Sequence, residues 1–316
     1  MDGFKTAKID LHRHLGGSIN QHTVYKILEI MGRPMPLSYI ADRMICHGRA
    51  IGFQNFLHKF TILDELEWYP WAIDLAIEQV CADLCREGVL YTELSLSINK
   101  YASFNAWTPV EVVKFIADKF SEYSIKYDIH VGLLLALRYD SSRDSQIDYS
   151  DIIDDPQIAD RLCGLDLVGD ESYFDPEFYK PIFNKWKRHD KILRAHVGEM
   201  PGTGENVRIA VEELEIDRIA HGVQASDDTL KMAAEKQICF DIALHSNQIT
   251  GAVPDLQYHP LKKMIEYGCC VTLNTDDPVQ FQCTLDDEFA LAIASGLMID
   301  EHSVINNAWT ACRYSS

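Results

Sequence analysis

The sequence predicts one domain over residues 1–316, a TIM (β/α)8 barrel with extra helices between its first and second strands. Three observations predict it. Short β-rich apolar runs alternate with longer stretches of helical periodicity, the pattern of repeated βα units. There are eight such runs, the barrel number. Imidazoles and carboxylates gather at the C-terminal ends of several runs, which is the face where barrel enzymes carry their active sites. A doubly wound sheet would share the alternation, but that placement of polar residues counts against it.

The runs are Ala7 to His12, Val89 to Ser97, His130 to Leu137, Leu162 to Gly169, Ile192 to Glu199, Arg218 to Val223, Ile238 to Leu244 and Cys270 to Asp277. Between them, Trp71 to Arg86 spaces Ala72, Leu75, Ala76, Val80, Leu84 and Cys85 for one face of a helix, and Gly88 stands just beyond as a stop signal. Pro109 to Lys126 and Asn206 to Leu214 read the same way. The longest gap separates the first two runs. It holds helical patterns at His22 to Met31 and Phe53 to Leu66, placed to cover the barrel mouth.

Composition narrows the function classes. Hydrophobic residues make up 47% and charged residues 24%, enough apolar material for a large core. The net charge of -19 opposes binding to phosphate backbones and anionic membranes, so neither nucleic acid nor a membrane is expected as a partner. Nine scattered cysteines with no CxxC pair point to reduced thiols, with Cys269 and Cys270 in the core. Met1 to Lys8 lacks a signal-peptide core, and no run reaches the ~18 apolar residues of a membrane span. A cytoplasmic protein is expected; the oligomeric state is not legible.

His12 and His14 are two apart on a predicted strand, so both project from one face while Arg13 points away. His196, His221 and the pair Asp276 and Asp277 sit at three other strand ends. Imidazoles with a carboxylate suit a single zinc ion with a position left for water, although iron and manganese accept the same donors. The fourth run has no lysine, so the carbamylated bridge of two-metal barrel hydrolases has no candidate there.

These residues resemble the adenosine deaminase family of the amidohydrolase superfamily. Leu11-His12-Arg13-His14-Leu15 is similar to its opening metal motif, Asp166-Leu167-Val168-Gly169-Asp170-Glu171 to its fourth-strand motif, and His196-Val197-Gly198-Glu199 to its HAGE motif. Arg218-Ile219-Ala220-His221-Gly222, then Ser246-Asn247 with Thr250-Gly251-Ala252, and Leu273-Asn274-Thr275-Asp276-Asp277-Pro278 follow in family order, from Lys8 to about Ala308. The resemblance implies hydrolytic deamination of an adenine nucleoside, adenosine or deoxyadenosine. His12, His14, His196 and Asp276 would hold zinc, and His221 would orient the attacking water. Glu199 would protonate ring nitrogen 1, Asp277 would bond nitrogen 7, and the Gly169 amide would approach nitrogen 3. Phe56 and Phe60, at helical spacing with Phe53 and Leu57, would cover the substrate or simply pack.

Three departures bear on the substrate. Gly16 stands where relatives carry an acid that contacts the ribose 5′-hydroxyl. Either a 5′-substituted nucleoside or nucleotide needs the space, with Arg138, Lys59 and Arg49 as candidate phosphate partners, or another group meets an ordinary hydroxyl. Ala243-Leu244-His245 replaces the usual residues before Ser-Asn, and His245 reads either as a substrate contact or as a loop residue exposed to water. The sequence ends at Ser316, where relatives continue with a further helix, which suits a compact or truncated enzyme. The competing functions are a deaminase of methylthioadenosine, aminodeoxyfutalosine, AMP or free adenine, and an inactive nucleoside-binding or interaction protein. The HxE and PCxxC signature of the flipped-base deaminases is absent.

Overall fold

Eight parallel strands follow one another in sequence order around a nearly closed barrel. The computed structural model describes residues 8–297 and 300–312, so Ala7 and Ser316 lie outside the described residues. The strands are β1 (Lys8–His14), β2 (Val89–Leu96), β3 (His130–Arg138), β4 (Gly164–Val168), β5 (Ile192–Val197), β6 (Arg218–His221), β7 (Cys239–Ile242) and β8 (Cys270–Leu273). All eight predicted runs are strands, but most of the later ones end early. Glu199, Asp276 and Asp277 therefore stand on loops beyond strand ends rather than on the strands themselves.

Local signals account for the helices around the barrel. Pro109–Tyr127 starts at a capping box in which Thr108 and Glu111 satisfy each other's backbone amides. Pro70–Glu87 begins with proline in its first turn and stops at Gly88, whose φ of 74° suits a residue without a Cβ. Between β1 and β2 lie helices Leu15–Ser18, Gln21–Ile30, Leu37–Met44 and Phe53–Leu57. Phe53 to Leu66 is not one helix. It changes to 3-10 winding over His58–Glu65, which folds Phe60 and Leu63 back over Gly16. No helix among the described residues is long and apolar enough to cross a membrane.

Inside the barrel the floor of the mouth is ionic. Arg194 meets Asp166 at 2.7 Å, and Arg218 meets Glu93 at 2.7 Å and Asp241 at 3.1 Å, every one of these side chains buried. Two residues beyond Arg194 on the same strand face is His196, so this network lies directly beneath the imidazoles. The barrel closes between β1 and the segment after β8. His14 N donates to Asp276 O at 3.2 Å, and Asp276 N donates to His12 O at 2.8 Å. Asn274 Oδ1 accepts from Leu11 N, and Thr275 Oγ1 donates to Asp10 Oδ2.

Candidate active site at the barrel mouth

Alternation along β1 brings His12 and His14 to one face, while Arg13 turns away to the carboxylates of Asp10 and Glu87. His196 enters from β5, and Asp276 from the closing segment. His12 Nε2 lies 2.9 Å and His14 Nε2 3.2 Å from His196 Nε2; Asp276 Oδ1 is 3.3 Å and 3.2 Å from the first two. A zinc ion with bonds of about 2.0–2.1 Å needs tetrahedral ligand separations of roughly 3.3 Å.

The donor chemistry fits such an ion. His196 Nδ1 lies 3.1 Å from the Leu167 carbonyl and 3.3 Å from Asp166, so it carries the proton and Nε2 is a lone pair. That single lone pair faces the Nε2 atoms of both His12 and His14 and cannot accept a full hydrogen bond from each. Burial, only partly offset by Asp276, pushes His12 down to about 3. Asp276 is raised by burial, but the imidazoles of His12, His14 and His221 outweigh this and hold it well below the usual carboxylate range. A deprotonated imidazole beside an ionised carboxylate is the state in which these groups bind a cation.

His14, Gly16, Phe56, Phe60 and Gly169 line one cavity of about 400 Å³, together with His196, Glu199, His221, Asp276 and Asp277. His12 is fully buried beneath it. His221 Nε2 lies 3.7 Å from Glu199 Oε1 and 3.8 Å from Asp276 Oδ2. Burial, then the charges of Asp276 and Glu171, raises Glu199 well above the ordinary carboxyl range. Burial and its neighbour Asp276 do the same to Asp277. His221 and Asp276 have φ values of 67° and 61°, unusual for residues with a Cβ. Phe56 packs on Phe60 edge to face and on Phe281 in a stack, so it serves both as lining and as packing.

Arg138 lines the cavity, but Arg49 and Lys59 do not. Lys59 instead reaches the Asp42 carbonyl. His245 is not a solvated loop residue: it lies in helix Leu244–Thr250, half-buried, with Nδ1 2.8 Å from buried Glu288.

Several contributors carry no role in the sequence reading. Glu171 accepts bonds from the amides of Gly198, Glu199 and Met200, each at 2.7 Å, and from Thr203 and Asn206 side chains. It thus clamps the loop that presents Glu199. Gly17 abuts Asp277 so closely that a Cβ there would fall 1.7 Å from Oδ1. The double glycine after the HxH pair was the available signal for that contact. Asp64 and Lys100, paired at 3.2 Å, line the same cavity.

Residues 7–309 match the family model described as Adenosine deaminase. The chain belongs to the adenosine deaminase family. It is accordingly a hydrolytic deaminase of the amidohydrolase superfamily, with the barrel that such membership implies. It is 32% identical over 300 residues to an adenosine deaminase of Proteus mirabilis, covering 91% of this chain and 87% of that one. Among solved structures, an amidohydrolase from Burkholderia ambifaria with bound zinc superposes with a TM-score of 0.85 at 20% identity, covering 98% and 86% of the two chains. Arabidopsis ADAL complexed with GMP gives a TM-score of 0.84 at 20% identity, covering 98% and 93%.

Proposed function

We propose that this family member is a zinc-dependent deaminase of an adenine nucleoside, converting adenosine or deoxyadenosine and water to the hypoxanthine nucleoside and ammonia. One observation supports the reading: Glu199 and Asp277, both buried, line one cavity with His14, His196 and Asp276, and burial raises both toward the protonated form. Adenine presents only lone pairs at nitrogens 1, 3 and 7. Recognition of that edge therefore needs three donors, and a carboxylate cannot donate. The protonated carboxyls of Glu199 and Asp277 and the amide of Gly169 supply them. Asp276, adjacent to Asp277, is driven the opposite way, and such divergence of neighbouring acids separates proton donor from cation ligand.

His12, His14, His196 and Asp276 would hold the zinc. When bound, the ion supplies a water whose pKa falls toward about 7, making a nucleophile available at neutral pH. Glu199 donates its proton to nitrogen 1, which leaves carbon 6 electrophilic. His221, whose Nε2 faces the cavity near Glu199 and Asp276, would orient the incoming oxygen. Asp277 and Gly169 fix the ring so that carbon 6 faces the cluster, and Phe56 and Phe60 cover it.

At the ribose end, Phe60 and Leu63 come within 3.7 Å of where a Gly16 Cβ would stand. The cations there already have partners: Lys100 has Asp64, and Arg138 has Asp140 in a bidentate pair. This favours an uncharged 5′-hydroxyl. A second reading, a 5′-phosphate that displaces those carboxylates, draws on the presence of Arg138 and Lys100 in the lining.

Loss of the adenine absorbance across adenosine, deoxyadenosine, methylthioadenosine, AMP and adenine tests both. A kcat/KM for the two plain nucleosides at least about tenfold above the rest, a difference of ~1.4 kcal/mol, supports the first reading. The same preference for AMP overturns it in favour of the second. No turnover of any of the five with zinc bound refutes both.

A further inference from the structure

His221 has two ring nitrogens, and only one faces the cavity. Nε2 looks toward Glu199 and Asp276 at 3.7 Å and 3.8 Å. Nδ1 points back into the protein, 3.0 Å from Asn247 Nδ2. Asn247 Oδ1 is 3.1 Å from His259 Nε2, and His259 Nδ1 is 3.1 Å from the backbone nitrogen of Leu261. All three side chains are buried.

The direction of every bond in this chain follows from its far end. A peptide N–H can only donate, so His259 Nδ1 accepts. Burial pushes His259 down to about 3, which leaves the ring neutral with its one proton on Nε2. That N–H donates to Asn247 Oδ1. The amide must then turn its NH2 toward His221, whose Nδ1 accepts. Because Nδ1 is the acceptor, the ring carries its proton on Nε2. The opposite orientation of Asn247 would set NH2 against the His259 N–H, two donors face to face in a buried site.

We infer that Asn247 and His259 are positioning residues that lock His221 as the Nε2–H tautomer, so that it offers the cavity a proton donor and no lone pair. Distance alone groups His221 with His12, His196 and Asp276 as a possible ligand set. The tautomer removes it from that set. A ring with N–H toward the cavity cannot bind a cation there, but it can donate to the oxygen that adds at carbon 6. That assignment of purpose rests on the deaminase reading, whereas the tautomer does not.

The test reads the tautomer directly. In metal-free protein with 15N-labelled histidine side chains, the His221 signals, identified by their loss in His221→Gln, should be pyrrole-like at Nε2 and pyridine-like at Nδ1. Asn247→Asp keeps the shape but places an acceptor against Nδ1, and should move a proton there. His259→Gln can accept from Leu261 N and still donate to Asn247, so the native tautomer should persist. His259→Glu, which can only accept, should invert the amide and the tautomer, and serves if Asn247→Asp does not fold. With zinc restored, Asn247→Asp should lose roughly 10²- to 10⁴-fold in kcat with a much smaller change in KM, the range seen when a catalytic imidazole is held in the wrong tautomer or loses its proton role. His259→Gln should retain most activity. A proton on Nδ1 in the wild type, or no change in Asn247→Asp and His259→Glu, overturns the inference. The native tautomer in a protein that turns over no adenine compound would leave the relay standing and refute the proposed function instead.

Discussion

Replacing Gly17 with alanine adds one methyl group at the point where the site has least room. Its carbon would fall 1.7 Å from Asp277 Oδ1, 2.5 Å from Cγ and 2.7 Å from Cβ, whereas real Cβ contacts essentially never fall below 3.0 Å. The carboxyl must therefore retreat by more than about 1 Å, or the short helix Leu15–Ser18 must shift by as much. Alanine is otherwise welcome there, since it exceeds glycine in helix preference by up to about 1 kcal/mol, so gross unfolding is not expected. A misplacement of ~1 Å at a substrate-orienting group costs on the order of 10²-fold in rate, or about 2.7 kcal/mol. We expect kcat/KM on adenosine to fall by about that factor, with a loss of stability of about 1–3 kcal/mol from the overpacking that still leaves the protein folded. Gly16→Ala is the matched control, because its nearest neighbours would be 3.7 Å away, ordinary contact, and its activity should stay within a few-fold of wild type. Near-native activity in Gly17→Ala, or equal losses in both variants, would refute the placement of Asp277 against the substrate.

Glu199→Gln should abolish turnover, by roughly 10²-fold or more, with zinc content unchanged by metal analysis. The same variant tests the raised carboxyl of Glu199 through stability. A group whose folded pKa exceeds its unfolded value contributes stability that is complete below the unfolded pKa and is lost as pH rises through the folded one. In urea titrations of metal-free protein from about pH 5 to pH 8, wild type should lose stability relative to Glu199→Gln as pH rises; a constant difference would count against the shift. Glu171→Gln turns an NH2 against backbone N–H donors that now have a carboxylate, and should cost about 3 kcal/mol of stability in denaturant together with a drop in kcat. Stripping zinc with a chelator should lower the melting temperature and abolish activity, with both restored by added zinc. Binding at a thousand-fold excess over Kd is worth about 4 kcal/mol, and full activity with less than stoichiometric metal would exclude the cluster as the functional centre.

The barrel and its mouth were legible because their signals are periodic. His12 and His14 share a face through the two-residue repeat of a strand, and His196 and His221 close apolar runs. What stayed hidden depends on contacts between distant segments. Gly17 reads as half of a glycine pair until the loop after β8 brings Asp277 against it. Glu171 looks like an acid at a helix start, whereas its carboxylate is consumed by three amides of the loop after β5. His259 lies well past the last motif of its region, and nothing local marks it as the partner of Asn247. The helical pattern from Phe53 to Leu66 changes its winding after Leu57 for a related reason. Packing Phe60 and Leu63 over Gly16 favours tighter winding there than the apolar spacing alone suggests.

The closing seam of the barrel explains why so much of the chemistry sits where it does. β8 ends at Leu273, and the two backbone bonds that reach β1 are made by Asp276 with His12 and His14. The bonds that close the sheet therefore also aim the Asp276 carboxylate at both imidazoles. Its φ of 61° costs on the order of 1–3 kcal/mol, and such a conformation persists only where surroundings over-determine it. Here they do: the amide and carbonyl of Asp276 are both bonded, and Asn274 and Thr275 are tied to Leu11 and Asp10 on the facing strand. With its backbone fixed, Asp276 cannot relax away from the imidazoles to relieve crowded lone pairs. The crowding would then be answered by a cation rather than by movement, and the adjoining Asp277, carried on the same turn, lines the cavity beside it.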